Sequence, residues 1–197
     1  STSASITGLA AGTATLTYSL GAGCSISATI TVNALPSTVT GTPSLIICQG
    51  SNTTLGSTPL GGTWSTTATS SQITLNSSSG AVTGVGAGAY TVTYTAPTGC
   101  TRTGVVTVNP IPNVIAGPSQ VCVGNCVTLT SSTGGGTGGT VTSASIGTIG
   151  AATGIFCGIS GTSVATIKYT ITSTTCARTT VVTVNALPTA YTLSASG

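Results

Sequence analysis

The chain has 197 residues but no Asp, Glu or His, and its net charge of +3 comes from Arg102, Lys168 and Arg178 alone. General acid–base catalysis needs a side chain that titrates near the working pH, and the usual carboxylates and imidazoles are absent. The chain also has no C-x-x-C pair to hold a metal. Three scattered basic residues do not form the positively charged patch that binds nucleic acid. No apolar run reaches the roughly 18 residues that a membrane-spanning helix needs. We therefore expect no enzyme, no cofactor, no metal, no nucleic acid and no membrane span.

The composition predicts an all-β chain with essentially no helix. Thr, Val, Ile and Tyr favour strands, whereas the helix formers Glu, Lys, Gln and Met are absent or nearly absent. Apolar and polar residues alternate cleanly at 90–95 and 164–171, which is the period of a half-buried strand. With 39% apolar residues, the chain can bury a core, so we favour a folded chain over a disordered tract.

The first segment, residues 1–35, contains a Gly-rich turn, a strand that ends at Tyr18, a second turn and a strand that begins at Cys24. Residues 6–18 match residues 82–94, which lie 76 positions further along the chain (82 − 6 = 76). Two such strands joined by a tight turn predict a β-hairpin. We interpret this segment as the C-terminal part of an immunoglobulin-like repeat.

Three versions of one cysteine-containing strand recur along the chain. They begin at Cys24, Cys100 and Cys176, again 76 residues apart (100 − 24 and 176 − 100), and each ends in V-N-x-x-P. The proline cannot donate to a strand ladder, so each strand ends there. A fixed period of this length indicates an array of similar modules.

The period divides the chain into two complete repeats, 36–111 and 112–187, followed by the start of another at 188–197. Because the first repeat lacks its front half and the last its back half, we expect a longer array. About seven short strands with regular turn signals in 76 residues predict an immunoglobulin-like β-sandwich. Short proline-containing linkers would hold tandem sandwiches semi-rigidly in an elongated rod.

Seven cysteines suggest a disulfide framework and, with it, an oxidising extracellular setting. Closing a loop of about 50 residues would stabilise a repeat by about 4 kcal/mol. The simple assignment is Cys48–Cys100, Cys122–Cys176 and Cys126–Cys157, with Cys24 unpaired in this sequence and bonded upstream.

Another disulfide connectivity remains open. If the first strand of a repeat runs the full length of the sandwich, Cys48 lies at the opposite pole from Cys100. It would then be nearer Cys176 of the next repeat, and bonds would link repeats or chains. Free thiols are the third possibility.

The aromatic residues predict a core. Trp64 fits the strand on which such sandwiches bury a tryptophan, and Tyr18, Tyr94 and Tyr169 end equivalent strands. Stacking of Trp64 on a sugar is the alternative, although Val141 replaces it in the next repeat. The glycine run at 134–139 lacks the lysine of a phosphate-binding loop and is interpreted as a flexible loop.

The near absence of charge predicts lateral association. Surface charge normally keeps copies of a protein apart, and charged residues on edge strands block pairing between sheets. Here Thr, Ser and Gly take those places. We therefore expect copies of the chain to associate side by side into a fibre or bundle.

The motifs Cys48-x-Gly50, G-G-T-W at 61–64, the stretch 82–94 and V-N-x-x-P at 108–112 resemble immunoglobulin-like and PKD-like repeats. Such repeats occur in giant secreted Bacteroidota surface proteins, including gliding-motility adhesins and grappling-hook filaments exported by the type IX system. The resemblance implies extracellular display, adhesion and a target bound at a distal tip outside this sequence. The resulting prediction is a structural repeat of an extracellular filament or giant adhesin. The alternative is an extracellular glycan-binding module.

Overall fold

The computed structural model describes residues 3–132 and 145–188 and the backbone of 136–141. In this part of the chain all regular structure is β-strand, so the all-β prediction is confirmed. No helix among these residues is long and apolar enough to span a membrane. The chain forms two compact units, Ser1–Val108 and Asn109–Gly197, and each is described by itself.

The first unit begins with a two-stranded antiparallel hairpin, β1 (Gly12–Gly21) and β2 (Cys24–Val32), as the sequence predicts. Glycines at both ends of the turn adopt positive φ, which L side chains rarely do. Because side chains alternate across a strand, the even-numbered residues share one face. That face is apolar and the other carries only Thr and Ser; the apolar face comprises Gly12, Ala14, Leu16, Tyr18, Leu20, Cys24, Ile26, Ala28, Ile30 and Val32.

The rest of the first unit is an immunoglobulin-like sandwich of two four-stranded sheets, ordered β4-β10-β9-β6 and β3-β5-β8-β7. The first strand of the repeat is divided into β3 and β4, which join different sheets, and Pro43 between them cannot donate to a ladder. The strands are β3 (Thr40–Thr42), β4 (Ile46–Cys48), β5 (Asn52–Gly56), β6 (Thr63–Thr66), β7 (Ile73–Leu75), β8 (Ala81–Gly84), β9 (Gly88–Thr95) and β10 (Thr101–Asn109).

The core of this sandwich lies between its two sheets. It consists of the inward-facing residues of strands in which apolar and polar residues alternate. The same alternation therefore indicates both where the strands lie and which of their residues are buried. The buried residues are Val39, Ile47, Leu55, Trp64, Ile73, Val82, Val92, Tyr94, Ala96, Val106 and Val108.

The second unit repeats this topology, with sheets ordered β11-β17-β16-β13 and β12-β15-β14 and an isolated bridge between Ala116 and Thr130. Phe156 is completely buried at its centre. The strands are β11 (Gln120–Cys122), β12 (Cys126–Thr128), β13 (Gly136–Val141), β14 (Gly147–Ile149), β15 (Ile155–Gly158), β16 (Ser163–Ile171) and β17 (Ala177–Asn185).

The glycine run at 134–139 is not a loop throughout, so that prediction is wrong for its last four residues. Residues 136–141 form β13, which pairs with β16 and has an irregular register between Thr137 and Thr140. Backbone pairing to the long strand β16 needs no side chains, and this is why a glycine-rich stretch can join the sheet. Gly134 and Gly135 lie outside the described residues.

The repeat boundaries proposed from the period, before residues 36, 112 and 188, stay predictions. The division of the chain into two compact units falls between Val108 and Asn109. The predicted start of another repeat at 188–197 lies, apart from Pro188, outside the described residues.

Candidate functional site

The described residues contain no group of three or more His, Cys, Asp or Glu side chains that could hold a metal ion. Three other features remain as candidates for function: the aromatic pair in the first sandwich, the apolar face of the β1–β2 hairpin, and the cysteines at the ends of the sheets.

Trp64 and Tyr94 form the aromatic centre of the first sandwich. They are opposite each other on β6 and β9, with ring centroids 4.7 Å apart and planes tilted by 50°. Trp64 is only 6% exposed, so its indole is not available to stack on a sugar. The Tyr94 hydroxyl donates a hydrogen bond to the Pro59 carbonyl and accepts one from the Gly62 N–H at 2.8 Å. This pair therefore stabilises the sandwich and offers no ligand site.

The other two tyrosines of the predicted core are not fully buried. Tyr169 on β16 is half-buried. Tyr18 is 57% exposed, and its placement in a core is wrong for the described structure. The physical reason is that, among the described residues, β1 and β2 form a sheet of two strands with no third strand beside them. Tyr94, in contrast, has β6 next to β9 and a facing sheet above it.

The apolar face of the β1–β2 hairpin has the residue pattern of a core. Leu16 and Tyr18 are 40% and 57% exposed, while their equivalents 76 positions later, Val92 and Tyr94, are 0% and 3% exposed. At the turn end of the hairpin, four residues of this face and the neighbouring Ser25 line a shallow apolar hollow; the four are Tyr18, Leu20, Cys24 and Ile26. The opposite face carries hydroxyl groups, among them Thr17 Oγ1 and Ser27 Oγ, which are 2.9 Å apart.

One predicted disulfide is confirmed. Cys126 on β12 lies directly opposite Cys157 on β15, with Cα atoms 4.0 Å apart, and the two sulfurs are bonded. The bond cross-links two neighbouring strands of the second sandwich and joins cysteines that lie 31 positions apart in the sequence.

The other two predicted pairs do not form. Cys24, Cys100 and Cys122 carry free thiols, whereas Cys48 and Cys176 are each disulfide-bonded. The assignments Cys48–Cys100 and Cys122–Cys176 are therefore wrong, because in each of them one cysteine is free.

The direction of the first strand accounts for the failed pairing in the second repeat. β11 runs parallel to β17, which places Cys122 opposite Asn185 at the far end of that strand. Cys176 precedes the start of β17. Nine strand residues therefore separate the two cysteines, or about 30 Å at about 3.3 Å per residue, whereas a disulfide needs Cα atoms within about 7 Å.

The same arrangement recurs in the first sandwich. The Thr107 N–H donates to the Leu45 carbonyl at 2.9 Å, as the Thr183 N–H donates to the Ser119 carbonyl at 2.8 Å in the second. By this equivalence Cys48 lies near the Val108 end of β10, and Cys100 precedes the other end.

No family model matches the chain, and no curated protein matches it. Among solved structures, it is similar to invasin, a bacterial integrin-binding protein, at 13% identity and a TM-score of 0.48 over 89% of this chain and 46% of that one. It is also similar to a 282-residue C-terminal fragment of intimin, crystallised with the intimin-binding domain of its translocated receptor. That match has 16% identity and a TM-score of 0.44 over 68% of this chain and 58% of the fragment.

A third similar structure is the S-layer protein SbsC, with 15% identity and a TM-score of 0.35 over 84% of this chain and 30% of that one. The chain thus spans less than two thirds of each of the three. At these TM-scores the similarities carry no argument for function, and the description of the sandwich rests on its own sheets.

Proposed function

We propose that the chain is a structural repeat segment of an extracellular filament or giant surface adhesin, whose copies associate side by side. The observation that carries the proposal is the chemistry of the outward strand faces, which present hydroxyl and small apolar groups. On the hairpin of β9 and β10, for example, Thr93 lies opposite Thr103, and Thr91 lies opposite Val105. Val105 and its equivalent Val181 are 51% and 54% exposed.

Such faces favour contact between copies. With three charged residues in 197, there is little long-range repulsion to keep two molecules apart. Exposed threonines can exchange hydrogen bonds with a neighbouring sheet, and exposed valines gain free energy when they leave water. Lysines and other charges on edge strands, the usual protection against such association, are almost absent here.

An extracellular location has support from the Cys126–Cys157 bond, since disulfides persist mainly in oxidising compartments. The finer parts of the proposal come from the resemblance to giant secreted Bacteroidota surface proteins. They are export by the type IX system, a role in attachment, cell contact or gliding motility, and a target held at a distal tip. In this proposal the repeats project the tip and carry tension.

The glycan-binding alternative has no support among the described residues. Its clearest candidate, Trp64, is buried against Tyr94. We therefore propose the structural role alone.

The test is analytical ultracentrifugation of the whole chain over a wide concentration range, with electron microscopy of the concentrated sample. We expect larger species at high concentration that persist in high salt, because uncharged surfaces form the contacts. Thr103 and Thr179 are equivalent exposed residues on β10 and β17. Lysine at both should keep the chain monomeric in low salt, with recovery in high salt, where charges are screened within about 3 Å at 1 M.

The matched control is serine at both positions, which keeps the hydroxyl groups and should associate like the original chain. A chain that stays monomeric at every concentration and shows no fibres by microscopy would refute lateral association.

A further inference from the structure

The apolar face of the β1–β2 hairpin is equivalent to a face that is covered in the first sandwich. Leu20 on the hairpin face is 76% exposed, whereas its equivalent in the next repeat, Ala96, is 3% exposed. We infer that the hairpin face binds the front half of a repeat, meaning a polypeptide segment with the sequence pattern of residues 36–80. This inference goes beyond lateral association, which is proposed for the outward faces of the sandwiches.

In the first sandwich the equivalent face is covered by side chains from residues 36–80. The buried core residues that this segment supplies are Val39, Ile47, Leu55, Trp64 and Ile73. The core residues on or directly after β9 and β10 are Val92, Tyr94, Ala96, Val106 and Val108. Their equivalents on the hairpin are Leu16, Tyr18, Leu20, Ile30 and Val32. The hairpin therefore presents one half of a core, and the front half of a repeat supplies the other.

The segment before β1 already lies on this face as a strand of the second sheet does. Gly8 is the equivalent of Gly84, the last residue of β8. A Cβ at Gly8 would lie 2.9 Å from Val32 Cγ1, and a Cβ at Gly84 would lie 2.8 Å from Val108 Cγ1. The backbone at Gly8 thus approaches the hairpin as β8 approaches β10. Because β8 pairs with β5 and β7, the places beside it are those of strands from residues 36–80.

The outer edge of β2 is equivalent to an edge that pairs with a front-half strand. In the first sandwich β4 lies beside β10, and the Thr107 N–H donates to the Leu45 carbonyl at 2.9 Å. The equivalent of Thr107 on β2 is Thr31. An extended segment can add to a sheet edge through such main-chain hydrogen bonds. We therefore place the β4-like strand of the partner beside Thr31.

The outer edge of β1 is equivalent to the edge of β9 that pairs with β6. There Trp64 lies opposite Tyr94, and the two rings are in contact. Tyr18 is the equivalent of Tyr94, so a front half would place its tryptophan on Tyr18. Residues 12–32 and 36–80 contain no charged side chain, so their contact buries no unpaired charge.

The test adds a front half to the whole chain. The donor is the separate polypeptide 36–80 with a fluorophore at its N-terminus and with Cys48→Ser, which prevents a disulfide with the chain. Fluorescence anisotropy should show saturable binding of one donor to each chain. In the complex, the Thr31 N–H should gain protection from hydrogen exchange, measured by NMR.

Two matched pairs of variants locate the contact. On the chain, Leu16→Lys puts a charge on the apolar face and should weaken binding at least about tenfold. Thr17→Lys puts the same charge on the hydroxyl face and should change the affinity by no more than about twofold. On the donor, Trp64→Ala should weaken binding more than about tenfold. The donor control is Ser65→Ala, since Ser65 is exposed on β6, and it should bind like the original donor.

Absence of saturable binding would overturn the inference. Equal affinities for Leu16→Lys and Thr17→Lys would also do so, because the donor would then bind elsewhere on the chain. Equal affinities for the two donor variants would show that no tryptophan is placed on Tyr18, which contradicts the proposed pairing. Dimers of the chain alone that dissociate on Leu16→Lys would show that a second copy covers the face, and this result too would refute the inference.

Discussion

Trp64 lies against Tyr94 across strands β6 and β9, with ring centroids 4.7 Å apart, and both side chains are buried. Removal of the indole should cost about 3–5 kcal/mol, the usual range for truncating a buried large aromatic residue. We expect Trp64→Ala to lower the free energy of unfolding of the first sandwich by this amount, measured by urea denaturation followed by circular dichroism.

The control for this variant is Leu60→Ala, since Leu60 is 82% exposed and an alanine there leaves no cavity. Its effect should stay within about 0.5 kcal/mol. Equal losses for Trp64→Ala and Leu60→Ala would contradict the assignment of Trp64 to the core.

Gly80 approaches the same tryptophan so closely that no side chain fits. Its φ is +70°, and a Cβ there would lie 2.8 Å from Trp64 Nε1 and 2.9 Å from the Leu55 carbonyl oxygen. Gly50 has a similar φ of +83° but open space around it. Gly50→Ala should therefore report backbone strain alone, about 1–2 kcal/mol, and Gly80→Ala should cost about 1–3 kcal/mol more through overpacking.

The measurement for the glycine pair is again urea denaturation, with the two variants compared directly. Because their backbone conformations match, the difference between their unfolding free energies isolates the contact with Trp64 and Leu55. No difference between the variants would show that the space beside Trp64 is not tight.

The period-2 pattern accounts for most of the fold that the sequence predicts. Alternation assigns residues such as Val92 and Val106 to one face of a hairpin, and the 76-residue repeat carries this assignment from one module to the next. The same alternation predicts an apolar face around Tyr18, and the β1–β2 hairpin has this face. Whether the face is buried depends on other strands that would cover it, and the sequence of the hairpin does not specify those strands.

The disulfide pairing could not be predicted because it depends on strand direction. β11 is three residues long, and the residue pattern of so short a strand does not indicate whether it runs parallel or antiparallel to β17. Only the observed parallel register places Cys122 beside Asn185 and far from Cys176. Cys126–Cys157 was predictable because those two cysteines have no counterparts in the other repeats and so pair with each other.

Removal of the Cys126–Cys157 bond should destabilise the second sandwich. It closes a loop of 31 residues, for which the chain-entropy model gives roughly 3–4 kcal/mol. We expect the double variant Cys126→Ala, Cys157→Ala to lose about that much unfolding free energy in urea. The control is Cys122→Ala, which removes a free thiol on β11, in the other sheet of the same sandwich, and should change the stability far less. Equal losses would mean that the bond contributes nothing.

The stability of the chain should not depend on pH between about 4 and 7. Carboxylates and imidazoles are the side chains that normally titrate in that range, and this chain has none. Folded and unfolded states then bind the same number of protons, and the slope of unfolding free energy against pH is zero. Thermal unfolding at several pH values across this range should give one Tm within experimental error.

Thr53→Asp supplies the positive control for this pH measurement. Thr53 is 2% exposed, and its hydroxyl donates to the Ser44 carbonyl at 2.7 Å. A protonated Asp can donate there, but an ionised one cannot, so burial should raise the pKa of the new carboxyl above its unfolded value. The unfolding free energy of the Thr53→Asp variant should therefore be highest at low pH and fall as the pH rises. The total fall is about 1.4 kcal/mol for each unit by which the pKa is raised. A Tm that varies with pH in the original chain would contradict the prediction, since no side chain there could account for proton uptake.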